Sequence, residues 1–216
     1  RVHARGKTAE VTAKVPAVEK APPVSFLKDV MPILNRQGCT AGACHGSAKG
    51  KNGFKLSLRG YDPEFDYRAL LYDVSGRRFN RADPARSLML AKPSQQVPHE
   101  GGLRIPPGSR YYGIIHDWIS EGTPFGDPVA DRLEKLEVSP SEVFMARPGM
   151  KQQLIVVARY LDGSSRDVTR EAVIVSSTPT TATVSEDAVV AGVRTGEATF
   201  LVRYEGKFVI VPATVL

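Results

Sequence analysis

Cysteine is nearly absent from this chain of 216 residues: only Cys39 and Cys44 occur, and they lie five positions apart. Two thiols exclude the multi-bridge framework of small secreted scaffolds, and they exclude a zinc site built on four cysteines. Tryptophan occurs once, at Trp118, and aromatic residues make up 7% of the chain. Long apolar runs are also missing. None approaches the ~18 residues that a membrane helix requires, so no membrane insertion is expected within this segment, and no signal-peptide pattern opens it. Nor is there an excess of one charge dense enough to mark a nucleic-acid binder. Lys and Arg number 29 against 23 Asp and Glu, a net charge of +6, but they are scattered, with no arginine-aromatic stripe and no helix-turn-helix pattern. Nucleic acid is therefore excluded as an expected partner, whereas acidic redox partners suit the charge. The chain opens at Arg1 rather than Met, which suggests a mature form or an excised part of something longer.

Both cysteines fall in Cys39-Thr40-Ala41-Gly42-Ala43-Cys44-His45. Two thiols followed at once by an imidazole read as a covalent haem attachment site, with two thioethers to the macrocycle and His45 as proximal iron ligand. The usual motif separates the cysteines by two residues, about one helical turn, whereas four intervene here. Such a segment must bulge, and Gly42 with the small Thr40, Ala41 and Ala43 makes the bulge sterically cheap. Gly46 would let the backbone pass close to a haem edge. A Cys39–Cys44 disulfide, a pair of free thiols and a fragment of a zinc site are the competing readings.

Residues 1–23 read as a linker or extended arm, in which His3 is an exposed histidine and Glu10–Val15 alternates in the manner of a strand. Structure begins at Ser25, a helix N-cap. Phe26, Leu27, Val30, Ile33 and Leu34 then form one apolar stripe that Pro32 kinks or shortens. Residues 47–52 are a solvated loop, and Phe54, Leu56 and Leu58 alternate as a short extended piece. Helices are expected from Pro63 through Tyr72, at Ser87–Leu90 and over Ser109–Glu121. The last carries Tyr111 and Trp118 toward Phe26 and Val30, with Gly122 and Pro124 ending it. Arg77, Arg78 and Arg81 form a basic cluster that could meet carboxylates. The side chains open as a second iron ligand are Met89, His99 and His116, the last a surface histidine by its helical position.

After Gly126-Asp127-Pro128 the apolar period changes from 3.6 to 2. Seven short strands are read between Leu136 and Val215, separated by turns at Asp162-Gly163, Gly196-Glu197 and Glu205-Gly206. This is a sandwich pattern without cysteine. It shows no catalytic constellation, and Asp162, Asp167 and Glu171 suit turn and cap roles better than a calcium site.

Phe26–Ile33, Cys39–Gly46, Leu56-Ser57-Leu58 and Trp118-Ile119-Ser120-Glu121-Gly122 together resemble the planctomycete-type cytochrome c domain, over residues 24 to about 125. Asp162-Gly163-Ser164-Ser165-Arg166-Asp167-Val168-Thr169 and Val190-Ala191-Gly192 resemble bacterial Ig-like group 2 domains. The resemblance implies a multidomain chain: an arm at 1–23, an all-α cytochrome c-like haem domain at 24–128, and an all-β immunoglobulin-like sandwich at 129–216. It implies one haem c on Cys39 and Cys44, with His45 as proximal ligand. His99 becomes the expected distal ligand, because related domains carry a His-x-Gly-Gly-x-Arg string that matches His99, Gly101, Gly102 and Arg104. Met89 is the runner-up. The implied role is one-electron transfer with redox partner proteins or domains, in a periplasmic or secreted setting, rather than catalysis. A non-redox adhesive or substrate-recognition module is the alternative.

Overall fold

The computed structural model describes residues 22–216 together with two short strands, Val2–Ala4 (β1) and Lys7–Ala9 (β2), which pair antiparallel. The Glu10–Val15 alternation and the His3 side chain lie outside the described residues.

Ser25 caps the first helical stretch, its Oγ accepting from Lys28 N at 3.2 Å. A π-helical turn, Phe26–Val30, comes first, and the α-helix Met31–Arg36 (α1) follows. Pro32 does not kink the run as expected. The wide turn ahead of it places the missing N–H in the first turn of α1, where an intrahelical partner is not required. The remaining helices are Pro63–Leu71 (α2), capped by Asp62, Leu88–Ala91 (α3), and Arg110–Ser120 (α4), capped by Ser109. They enclose an aromatic core in which the Phe26 ring lies 5.2 Å from Tyr67, 5.6 Å from Trp118 and 6.0 Å from Phe125. Trp118 is fully buried, and its indole N–H donates to the Pro124 carbonyl at 2.9 Å. Tyr111, expected beside Phe26, instead reaches across to the Arg170 carbonyl at 3.0 Å, because its end of α4 abuts the strands.

Those strands are Leu133–Ser139 (β3), Val143–Met145 (β4), Lys151–Gln153 (β5), Ile155–Tyr160 (β6), Ser165–Asp167 (β7), Val173–Ser176 (β8), Ala182–Val184 (β9), Val189–Gly192 (β10), Gly196–Tyr204 (β11) and Lys207–Val215 (β12). They form sheets of order β4-β12-β11-β8, β3-β6-β7 and β5-β10-β9. Alternate residues point inward: Ala198, Phe200, Val202 and Tyr204 of β11 meet Val156, Ala158 and Tyr160 of β6 in one core. The two-residue Glu205-Gly206 turn, with φ of 42° and 76°, closes the β11–β12 hairpin in the doubly left-handed form such hairpins favour.

The sequence pattern led to an all-α domain followed by an all-β immunoglobulin-like sandwich, and that fold class is corrected. The chain is a small unit made mostly of strands, with few and short helices. The loop expected at 47–52 extends to turns over most of residues 37–62, where Gly38, Gly50, Gly53 and Gly60 take positive φ and interrupt any helix. The helical and stranded cores are also tied together by a charged seam. Arg166 pairs with Asp29 at 2.6 Å, Lys28 with Asp131 at 2.9 Å and Asp162 at 3.2 Å, and Arg110 with Glu171. No helix among the described residues is long and apolar enough to cross a membrane.

Candidate functional site

The turns that interrupt helix formation after α1 build a cavity of about 800 Å³ in the helical part, within the range of small-molecule and cofactor sites. Leu34 from α1, Leu56, Leu70 from α2 and Ile105 supply apolar walls. Cys39, Cys44 and His45 stand on one side. His99 and Met89 also line the space.

The Cys39–His45 loop closes on itself through backbone bonds from Cys44 N to the Ala41 carbonyl at 2.9 Å and from His45 N to the Cys39 carbonyl at 3.0 Å. These two bonds accommodate the four intervening residues as a compact bulge. Gly46 packs behind it: a Cβ there would stand 1.9 Å from the Thr40 carbonyl oxygen. Its glycine therefore serves the bulge itself, rather than a close pass along a macrocycle edge. Both cysteines are free, so the disulfide reading fails. Burial pushes the Cys39 thiol up to about 12, with the neighbouring Cys44 adding to the rise, so this sulfur is protonated at neutral pH and is no activated thiolate.

The two histidines are held alike. His45 Nδ1 lies 3.1 Å from the Phe54 carbonyl, and His99 Nδ1 lies 3.0 Å from the Gly102 carbonyl. A carbonyl only accepts, so each ring carries its proton on Nδ1 and keeps the Nε2 lone pair. Iron- and zinc-ligating imidazoles are oriented in this way. Burial lowers the pKa of His45 against the Phe54 carbonyl bond, which raises it, and the nearby Arg78 and Lys92 charges add to the fall, which favours the neutral ring with its lone pair free. Gly101 makes room for the second ring, since a Cβ there would meet His99 Cε1 at 2.7 Å. Arg104 Nε donates to the Gly101 carbonyl at 2.7 Å and fastens the same loop.

Met89 is buried on α3 beside the cavity, while His116 sits on the exposed face of α4 against Asp117 and does not reach it. The basic cluster divides. Arg77 and Arg78 line the cavity with Lys51, Lys92 and Arg104, opposed there only by Glu100, while Arg81 turns away to Thr123 Oγ1 at 3.3 Å. In the strand-rich part, Asp162 accepts from Ser164 N, Asp167 from Thr169 N, and Glu171 pairs with Arg110.

A haem asks for two thiols near one imidazole, apolar walls, cationic side chains for its carboxylates and a second donor on the same cavity. The residues present fit that demand. Sequence reading placed Phe54 on the short extended piece and Gly101 in the matched string but missed what each does, because a backbone carbonyl and an absent Cβ leave no side-chain signature.

No family model matches the chain, and no curated protein matches it. Among solved structures, domains 5-6 of the S-layer protein SbsC are 27% identical over 39% of this chain and 44% of that one, with a TM-score of 0.35. Domains 4 and 5 of the same protein match at 27% identity over 39% of this chain and 53% of that one, also with a TM-score of 0.35. The chain thus spans about half the length of these structures. A third match is to the structure of surface layer protein SbsC, domains 1-6, at 27% identity over 39% of this chain and 13% of that one, with a TM-score of 0.35.

These findings correct the resemblance drawn from the sequence. Membership of the planctomycete-type cytochrome c family, followed by a bacterial Ig-like group 2 domain, is overturned: no family model matches, and the fold is strand-dominated. The labels attached to that membership fall with it, namely cytochrome c, a planctomycete source, an Ig-like domain and a metal-binding centre. Among the described residues no group of three or more His, Cys, Asp or Glu side chains is placed to hold a metal ion. The strings that carried the resemblance are short and rich in Gly, Asp and Ser. Loops and turns select those residues for backbone reasons in unrelated folds. What stands is the cavity itself, with two thiols and two imidazoles on its wall.

Proposed function

We propose that the cavity holds one haem joined covalently through Cys39 and Cys44, and that the chain works as a one-electron transfer module. The observation that carries this reading is the pairing of His45 and His99 on one cavity beside both free thiols, each imidazole with its Nδ1 proton spent on a backbone carbonyl. A cavity with two imidazole donors suits a macrocycle that brings four equatorial nitrogens of its own, which is why a larger ligand cluster is not required. When bound, such a group supplies a reversible iron(III)/iron(II) couple.

The chain's own residues do the rest. Cys39 and Cys44 would tether the group, and His45 and His99, which line the same cavity, would donate to it. Leu34, Leu56, Leu70 and Ile105 exclude water, and Arg77, Lys92 and Arg104 offer charge to carboxylates at the rim. Paired imidazoles set a lower reduction potential than imidazole with the Met89 thioether would, since thioether sulfur favours ferrous iron. Acidic redox proteins or domains suit the cationic rim as partners, and a periplasmic or secreted setting belongs to the same proposal.

The test is spectroscopic. Expression in cells competent in haem attachment should give a protein heavier by one haem, with a pyridine haemochrome spectrum typical of two thioethers. His99→Ala should abolish the low-spin bis-imidazole spectrum while leaving the attachment. A colourless protein of unmodified mass would refute the reading. It would favour the non-redox alternative, a contact module, to which the exposed apolar row Val175, Leu201 and Ile210 across β8, β11 and β12 points.

A further inference from the structure

The wall behind His45 is a column of three side chains. The Phe54 ring packs on the His45 ring, with centroids 4.6 Å apart and planes at 50°, and its backbone carbonyl takes the Nδ1 proton of the same histidine. On Phe54 lies the Arg78 guanidinium, 4.1 Å from the ring centroid. Arg78 is half-buried and is not free to swing. Its Nη1 donates to the Ala69 carbonyl at 3.0 Å, at the end of α2, and to the Asp73 carbonyl at 3.1 Å. The Arg78 carbonyl in turn accepts from Met89 N at 3.2 Å, joining the column to α3.

A rim arginine that merely greets carboxylates would point its fork into the cavity. This one turns two of its N–H bonds to backbone carbonyls and rests its flat face on an aromatic ring, the geometry of a cation–π contact, which ties it to Phe54 rather than to a ligand. Lysine could not reproduce both bonds and the stacking.

We propose that Arg78 is a positioning residue. It clamps Phe54, and through Phe54 it fixes both the ring plane of His45 and the carbonyl that holds the His45 proton, while its permanent charge disfavours the oxidised state of the site. This rests on the electron-transfer reading above for its redox half, and on the chain alone for its positioning half. The guanidinium lies within about 9 Å of the His45 ring. A unit charge at that distance in an effective dielectric near 20 shifts a one-electron equilibrium by tenfold or more, at least ~59 mV.

The experiment compares the wild type with Arg78→Lys, Arg78→Met and Phe54→Leu. Phe54→Leu keeps the carbonyl and both Arg78 backbone bonds, so it covers the case in which Arg78→Met fails to fold. Nitrogen NMR of the His45 imidazole is read in haem-free protein, and the reduction equilibrium is read in haem-loaded protein. The wild type should show a single Nδ1–H tautomer, whereas Phe54→Leu and Arg78→Met should show a mixture. The haem-loaded Arg78→Met protein should favour the oxidised form by about tenfold or more, and Arg78→Lys should restore most of that shift without restoring the single tautomer. A single tautomer in every variant would overturn the positioning role, and an unmoved equilibrium in Arg78→Met would overturn the electrostatic one. A wild type that takes no haem would sink the electron-transfer reading, and with it the redox half, while the NMR comparison would still decide the clamp.

Discussion

Replacing Glu205 by Gln should make the protein more stable at neutral pH and leave it nearly unchanged at pH 5. Glu205 occupies the first position of the β11–β12 turn with φ of 42°, a conformation that Asn, Asp or Gly adopts at less cost. Its carboxyl is folded into the seam between the two cores, where Oε1 has no hydrogen-bond partner. Burial, with a smaller push from the Asp131 charge, raises its pKa from 4.5 to about 8 in all. The Tyr204 hydroxyl and the Arg166 and Lys28 charges oppose the shift without cancelling it. The folded state therefore keeps a proton that the unfolded state releases above about pH 4.5, so stability falls as pH rises through the window up to about pH 8 and levels off beyond it.

Evaluated at pH 7, that difference in proton binding costs the wild type about 3 kcal/mol, and at pH 5 under about 1 kcal/mol. Gln is neutral in both states and escapes the cost. Whatever fixed energy the amide gains or loses beside Tyr204, the gap between variant and wild type should widen by about 2–3 kcal/mol from pH 5 to pH 7. That corresponds to roughly 5–10 °C in melting temperature for a chain of this size. Denaturant titrations of both proteins at a series of pH values measure it, and other titrating groups cancel in the difference. Parallel stability curves, with a gap independent of pH, would show that the buried carboxyl does not carry this proton linkage.

Gly46→Ala should push the Thr40 carbonyl aside and loosen the Cys39–His45 bulge, at a cost of about 1–3 kcal/mol by denaturant titration; equal stability would mean that the bulge relaxes freely. Trp118→Ala should destabilise by about 3–5 kcal/mol, through the loss of its packing on Phe26 and Phe79 and of the bond to Pro124, read as a lower thermal midpoint. Asp29→Asn should remove one partner of the Arg166 pair in the seam and cost about 1–2 kcal/mol, with more frequent proteolytic cutting between residues 126 and 132. An unchanged cutting rate would mean that the other seam contacts suffice.

Much of the local structure was legible because local chemistry decides it. The cap at Ser25 formed where a short polar side chain precedes an apolar period, the helices expected from Pro63 and over Ser109–Glu121 formed behind caps at Asp62 and Ser109 that had not been singled out, and the Glu205-Gly206 turn closed a hairpin between two alternating runs. Several strands escaped notice, two of them for clear reasons. Val143–Met145 pairs parallel with β12 across a long sequence separation, and Ser165–Asp167 has almost no apolar content, so neither announces itself by period. The larger error was the fold class and the family. Apolar stripes of 3.6 period at Phe26–Leu34 and Tyr111–Ile119 are real, but between them stand only the short helices α2 and α3 among glycine-rich turns, and such pieces do not make an all-α half of the chain.

The spacing of Cys39 and Cys44 shows where sequence reasoning reaches its limit and what lies past it. Counting residues says only that four are too many for one helical turn. The backbone bonds from Cys44 N and His45 N, together with the missing Cβ of Gly46, turn those four residues into a compact bulge that leaves both sulfurs on the same cavity as His45. His99 arrives on that cavity from 54 residues further along, on a loop fixed by its own Nδ1 bond and by Arg104. Neither arrangement depends on the family that the strings resembled. A strand-dominated chain can present the same donors as long as the same carbonyls hold their protons, so the site has to be judged by its geometry and its spectrum.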